Sequence, residues 1–456
     1  MQSPVRDRIQ SLMDIDTQMM DQTHVTGQHS RPTLRDMLRL YPIHKCILDN
    51  LDMASLMNLC GTSWGLRTDI YSSRWDINRK LERFFRDPRA FRTELGRADA
   101  LISGSFALQF FANKFWPESD LDINLHGSER AERLGEYLVR AEGYEMVAAP
   151  VRFYDDSDIR TLDDIRMRSD RRRDICNVIT YVRPTHDDDD GDDGNGSSTT
   201  GQCKVQLITT KHHPVQAILS GYYTTCIVNF ITWNKAYCIF PRATLLFNET
   251  VPLTRQADCN VKLHKKYSLR GWRVRTALMA HDAERVDVTR TGPKGQNRYM
   301  VHPDPLGHGS FRDRRIGGGD TWTMRLGTAG VRPPPQPDSV IECSGFTIIR
   351  PNQRDDQDGL GFSITASPFV SHSLRYLYTY GSMTQAWQYV GDVLSCNTLG
   401  QINTKMMRRE SEHLVEDTRV SLLFTQEFEK PDGWDYWDDW FPEALDRERE
   451  ELGNTY

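Results

Sequence analysis

The sequence predicts an α+β protein in which a mixed sheet is flanked by helices, with a small helical module before it and a mainly irregular and helical region after it. Three observations carry this prediction. Between Leu101 and Leu125 a short apolar strand pattern, a Gly-Ser pair, a helical run and a second strand follow one another. Two more strand patterns, 175–182 and 203–209, flank an acidic stretch. The segment from Pro32 to Trp75 carries apolar residues at helical spacing, such as Leu34, Met37, Leu38 and Tyr41. A chain of 456 residues has room for two or three domains.

Residues 1–31 are polar, rich in Gln, Met and Asp, and read as disordered. Residues 32–75 form the helical segment, with Ile43, Ile47, Leu48 and Leu51 marking one helix. Leu56, Leu59 and Cys60 mark the next, with Asp52 as its N-cap, and Leu66, Ile70 and Tyr71 mark a third. Residues 76–285 read as the sheet-bearing domain. It opens with amphipathic helical patterns around Phe84, Phe85, Phe91 and Leu95, broken by the turn at Asp87-Pro88. Within it, 187–201 holds six aspartates among Gly, Ser and Thr and reads as a disordered, solvated loop joining two strands. Beyond it, His213–Leu219 suggests a short helix, and Cys226–Trp233 and Tyr237–Phe240 suggest strands. Residues 286–338 read as a loop-rich linker. In the C-terminal region, 339–456, residues 339–350 alternate like a strand or hairpin, 368–425 is expected to be mostly helical, and the tail is acidic with Trp434, Trp437 and Trp440.

Composition narrows the function. The formal net charge is −6, so any polynucleotide contact must be local. No stretch approaches the ~18–20 apolar residues of a membrane span, and the N-terminus lacks a signal-peptide core. The expectation is an intracellular protein, cytoplasmic or nuclear, with no membrane association. Nine scattered cysteines without a CxxC pair imply reduced thiols and no zinc site.

The chemistry concentrates in LISGSFALQFFANKFWPESDLDINL, residues 101–125. Gly104 permits a tight turn and a close approach to a ligand. Ser105 is expected at the helix N-cap, where its hydroxyl and the unsatisfied backbone N–H groups favour an anion. Pro117 ends the helix. On the following strand Asp120 and Asp122 share one face, while Leu121, Ile123 and Leu125 point into a core. Two adjacent carboxylates repel unless neutralised, and Mg²⁺ suits hard oxygen ligands. The phosphate-gripping helix start and the metal-binding strand together are what phosphoryl transfer needs.

This run resembles the DNA polymerase beta-type nucleotidyltransferase superfamily, whose pattern is Gly-Ser at a helix start and Asp-x-Asp on the next strand. The resemblance implies Gly104 and Ser105 as nucleotide or phosphate contacts and Asp120 and Asp122 as catalytic and metal-binding residues. It also implies a third carboxylate on a later strand. The strand 203–209 is the expected carrier, and its polar residue between apolar neighbours is Gln206, an amide that cannot act as a base. The resemblance therefore implies an impaired transferase, unless Asp174 or an aspartate of the acidic loop supplies the third acid. Residues 41–75 resemble an F-box through Pro42, Ile47, Leu48, Leu51, Leu56, Cys60 and Trp75. The alternative there is a helical cap packed on the next domain. The combination is similar to a group of fungal proteins of unassigned activity.

Two secondary sites complete the reading. Arg242 is a candidate triphosphate contact through its forked donors, against a plain surface arginine. Lys262, Lys265, Lys266, Arg270 and Trp272 are a candidate nucleic-acid contact, against a solvated helix face with its aromatics turned inward. Three functions follow: a nucleotidyltransferase-like protein that binds nucleotide or nucleic acid with impaired catalysis, an active Mg²⁺-dependent transferase, or an adaptor docking on a ubiquitin ligase through 41–75.

Overall fold

The computed structural model describes residues 43–147, 174–184, 202–253, 258–275, 286–287, 300–301, 313–349, 362–406 and 430–451. The expectations for 1–31, for the helical pattern 34–41 and for the acidic loop 187–201 lie outside these residues. What the described residues form is a mixed α+β architecture around one large sheet with helices on its flanks.

Three helices open it: α1 (Ile43–Asn50), α2 (Met53–Cys60) and α3 (Trp64–Arg74). Asp52 caps α2 as expected, accepting from the Ser55 N–H at 2.7 Å. The apolar stripe of these helices faces the main body. Leu48, Leu56, Cys60, Ile70 and Trp75 belong to the same buried core as Ile102, Phe111, Ile123 and Val205. The Trp75 indole N–H donates to the Phe111 carbonyl at 3.2 Å, and its ring meets Trp322 edge-on at 5.4 Å. The helices are therefore a cap on the sheet and not a free-standing hairpin, although Trp64 stays exposed at their edge.

Two helices follow, α4 (Ile77–Leu81) and α5 (Pro88–Arg97). Asp87 caps α5 and Pro88 occupies its first turn, which needs no backbone N–H. Arg92, on α5, is almost fully buried. Its guanidinium donates to the Trp233 carbonyl at 2.9 and 2.6 Å, to the Gly327 carbonyl at 2.8 Å and to Asn78 at 2.8 Å. One side chain thus ties three distant stretches together.

The sheet comprises β1 (Leu101–Ser103), β2 (Leu121–His126), β3 (Glu145–Met146), β4 (Ile175–Pro184), β5 (Gln202–Thr210), β6 (Asn229–Ile231), β7 (Lys235–Cys238) and an edge strand, Trp322–Arg325. Its order runs from that edge strand through β7, β6, β1, β2, β5 and β4 to β3. Only β2 and β5 are parallel; the other pairings are antiparallel. Between β1 and β2 lies α6 (Gly104–Ala112), after β2 comes α7 (Ser128–Arg140), and after β5 comes α8 (Pro214–Gly221). One face of the sheet, with Ile102, Ile123, Val205 and Leu207, packs on the N-terminal helices, α6 and α7. The other, with Leu101, Phe230 and Tyr237, packs on α8 and on Ile316, Ile341, Phe346 and Phe362.

Two regions depart from expectation. The segment 286–338 is no mere linker: it supplies the edge strand Trp322–Arg325, in register with β7 from Trp322↔Cys238 to Arg325↔Lys235. Four alternating residues are too short a signal to stand out, and pairing with β7 stabilises them. The stretch 339–350 holds a helical turn, Ser339–Glu342, before its strand, Gly345–Ile349. Among the described residues the region 368–425 is mostly helical as expected, through Gln385–Gln401 and the turn Ile402–Met406 that continues it, with short strands at Ser367–Phe369 and Tyr378–Tyr380 ahead of them. In the tail Trp434 is buried, and Trp437 and Trp440 pack on the cluster around Trp387 and Phe441. These tryptophans serve the core of the C-terminal region.

Candidate functional site

The register of the central strands sets the site. Ser103 on β1 lies opposite Asp122 on β2, Asp122 lies opposite Gln206 on β5, and Gln206 lies opposite Thr180 on β4. Leu121, Ile123 and Leu125 are fully buried, so Asp120 and Asp122 occupy the other face, both half-buried. Asn124, next on that face, is buried and donates to the Ser103 hydroxyl at 2.6 Å. The same hydroxyl meets the Tyr222 phenol at 2.6 Å.

Gly104 begins α6 with φ +67, a left-handed value that costs an L side chain steric energy. A Cβ here would also collide with the Asp122 carboxylate and press on the Tyr222 hydroxyl. The strand–glycine–helix turn is therefore packed directly under the acid. The N-cap is Ser103 and not Ser105, and Ser103 makes no side-chain capping hydrogen bond. Its hydroxyl is engaged instead by Asn124 and Tyr222. Ser105 sits in the first turn, with its hydroxyl against that of Ser119. The side chain of Ser103 thus leaves the first N–H groups of α6, which have no intrahelical partner, without a cap from the N-cap position.

The loop from α6 to β2 is braced from two sides. Arg83 donates to the Trp116 and Ser119 carbonyls, both at 3.0 Å, and to that of Pro117. Arg270 lays its guanidinium over Trp116 at 3.9 Å and pairs with Glu118. The Glu118 carboxyl is held below its ordinary value by a backbone hydrogen bond in its own residue and by Arg270. Both arginines thereby fix where Asp120 begins its strand.

The third position holds an amide. With its N facing the acceptor and its O facing the donor, Gln206 donates to Asp122 Oδ1 at 3.1 Å and accepts from Lys204 Nζ at 3.2 Å. Lys204 Nζ also lies 3.1 Å from Asp120 Oδ2. The four side chains form one connected set, Asp120–Lys204–Gln206–Asp122. Lys204 was not among the residues singled out from sequence. Its position two before Gln206 puts it on the same strand face, and that parity was the available signal.

Asp174 does not supply the missing acid. It immediately precedes Ile175, which pairs with Thr210, four positions along β5 from Gln206. At ~3.3 Å per residue that is ~13 Å away. Its carboxylate accepts from Gln216 at 3.2 Å and Ser220 at 3.4 Å, both on α8. Among the described residues no three acids, histidines or cysteines gather as metal ligands. Asp120 and Asp122 do offer hard oxygens on one face, with Gln206 as a neutral neighbour. Two carboxylates and one neutral amide would suit a single Mg²⁺ better than a pair, which calls for a third acid.

Arg242 opens the π-helical turn Arg242–Leu246, at the edge of the sheet where α6 begins but two strands over from β1. In the basic run, helix Asp258–Leu269 turns Tyr267 inward. Trp272 is buried, with its indole N–H donated to the Thr244 carbonyl at 2.8 Å. Its ring is not open to stack on a base, and Arg270 is committed to Trp116 and Glu118. Lys265 is exposed and Lys266 half-buried. His213, the N-cap of α8, accepts from the Val215 N–H at 3.2 Å, and complete burial lowers its pKa to about 3. No family model matches the chain, and no curated protein matches it. No helix among the described residues is long and apolar enough to cross a membrane.

Proposed function

We propose that this chain is a nucleotidyltransferase-like protein that binds a nucleotide, or the end of a nucleic acid, and is impaired in transferring it. The observation that carries the reading is the register of Gln206 with Asp122, beside a glycine-led helix start packed under the same acid. The phosphates would meet the uncapped N–H groups of α6 and the Ser105 hydroxyl. Asp120 and Asp122 would hold one Mg²⁺, which supplies charge neutralisation to the phosphate oxygens when bound. A transferase also needs a group that takes the proton from the attacking hydroxyl. The amide of Gln206 cannot do so near neutral pH, and its two polar ends are committed to Asp122 and Lys204.

An adaptor role through 41–75 has less support. A docking module should present its helices free of the body, whereas Leu56, Cys60, Ile70 and Trp75 are shared with the sheet core. The test is a thermal-shift series of nucleoside triphosphates with and without Mg²⁺. A ligand at ~100-fold over its Kd adds about 2.7 kcal/mol to the stability of the form it binds. At least one nucleotide should stabilise the chain with Mg²⁺ present, and Asp120→Ala with Asp122→Ala should abolish the shift. An unchanged shift in that double variant removes the site assignment, and transfer of a labelled nucleotide by the wild-type chain removes the impairment.

A further inference from the structure

We propose that in the ligand-free protein the Lys204 ammonium occupies the place of a resident divalent cation, so that a metal must displace it to enter. This deepens the reading of the pocket above and rests on the same residues. Asp120 and Asp122 contribute two negative charges and Lys204 one positive charge, leaving a single negative charge. The ammonium lies 3.1 Å from Asp120 Oδ2 and 3.2 Å from the Gln206 carbonyl oxygen. Those are two of the oxygens a metal at this strand face would use. Register sets up this arrangement: Leu121 pairs with Val205, so Asp120 and Lys204 come next to each other on neighbouring parallel strands, with side chains on one face.

An ammonium and a divalent ion cannot share these oxygens, because like charges a few ångströms apart repel. Lys204 is nevertheless not locked in. Its side chain is 34% exposed and that of Asp120 is 35% exposed, and a four-carbon stem can swing outward. A phosphate-bearing ligand arriving with its own cation gives the displaced ammonium a new anionic partner. The pocket therefore gains its metal with the ligand and holds none beforehand. Lys204 is a positioning residue in this account: it acts on the carboxylates.

The test titrates Mn²⁺ alone, without nucleotide, into the full chain and follows binding by calorimetry. The wild-type chain and Lys204→Arg, which keeps the charge, should bind weakly. Lys204→Met should bind at least ~10-fold more tightly, because it removes the competing charge and keeps the apolar stem. Should Lys204→Met not fold, Lys204→Gln provides the same neutralisation with a polar end. Equal or weaker Mn²⁺ binding in the neutral variants overturns the proposal. So does tight binding by the wild-type chain that Lys204→Met leaves unchanged. Since no nucleotide is present, either result leaves the thermal-shift outcome for nucleotide binding to be judged separately.

Discussion

Replacing Gly104 with alanine tests the geometry on which the candidate site stands. Two separate costs follow from the structure. The backbone at position 104 has φ +67, and forcing an L side chain into that region costs about 1–2 kcal/mol. The new methyl would also overlap the Asp122 carboxylate, and relieving that overlap by moving the acid costs about 1–3 kcal/mol more, as overpacking does elsewhere. The two terms separate in a double-mutant cycle. In an Asp122→Ala background the steric partner is gone, and Gly104→Ala should cost only the backbone term. Coupling of about 1–3 kcal/mol between the positions is the expected result. Urea unfolding followed by intrinsic tryptophan fluorescence is the assay, since ten tryptophans report on the fold. Equal costs in both backgrounds would show that Asp122 does not lie over Gly104. No cost at all would show that the backbone there is not left-handed.

Other perturbations follow from the same contacts. Gln206→Glu adds a third acid beside Asp122 and should strengthen Mn²⁺ binding; unchanged affinity would mean that β5 does not line the site. Arg92→Ala leaves the Trp233 and Gly327 carbonyls and Asn78 without their buried donor, at about 1–3 kcal/mol for each acceptor left unsatisfied, a loss that urea unfolding would register. His213 is neutral in the folded protein, with a pKa lowered from 6.5 to about 3 by burial. The unfolded chain therefore binds the extra proton between those values. Stability supplied by the neutral form is fully present above pH 6.5 and is lost as the pH falls towards 3, at up to about 1.4 kcal/mol per pH unit. His213→Asn keeps a capping acceptor without the titration, so its stability–pH curve should lack this limb. An unaltered curve would assign the acid sensitivity elsewhere.

Much of the candidate site was legible because local patterns encode it. The Gly-Ser turn, the parity of Asp120 and Asp122 and the pairing of 175–182 with 203–209 all depend on residues close in sequence or on strand alternation. The C-terminal half was less legible for the opposite reason. The edge strand Trp322–Arg325 is four residues long and gains its stability from β7, more than eighty positions earlier. No local pattern distinguishes it from a loop. The basic run shows the limit of composition: its aromatic residues read equally well as a base-stacking platform or as core, and burial of Tyr267 and Trp272 decides for core.

By itself the amino-acid order determined which residues share a strand face and where the helix-start glycine stands, because backbone periodicity and steric limits act over a few residues. Only the tertiary structure decided that Asp122 meets Gln206, that Asp120 meets Lys204 and that the N-terminal helices are a cap. Strand register and surface burial are settled by the sum of distant contacts, and in this protein that sum places a positive side chain within the acidic pair.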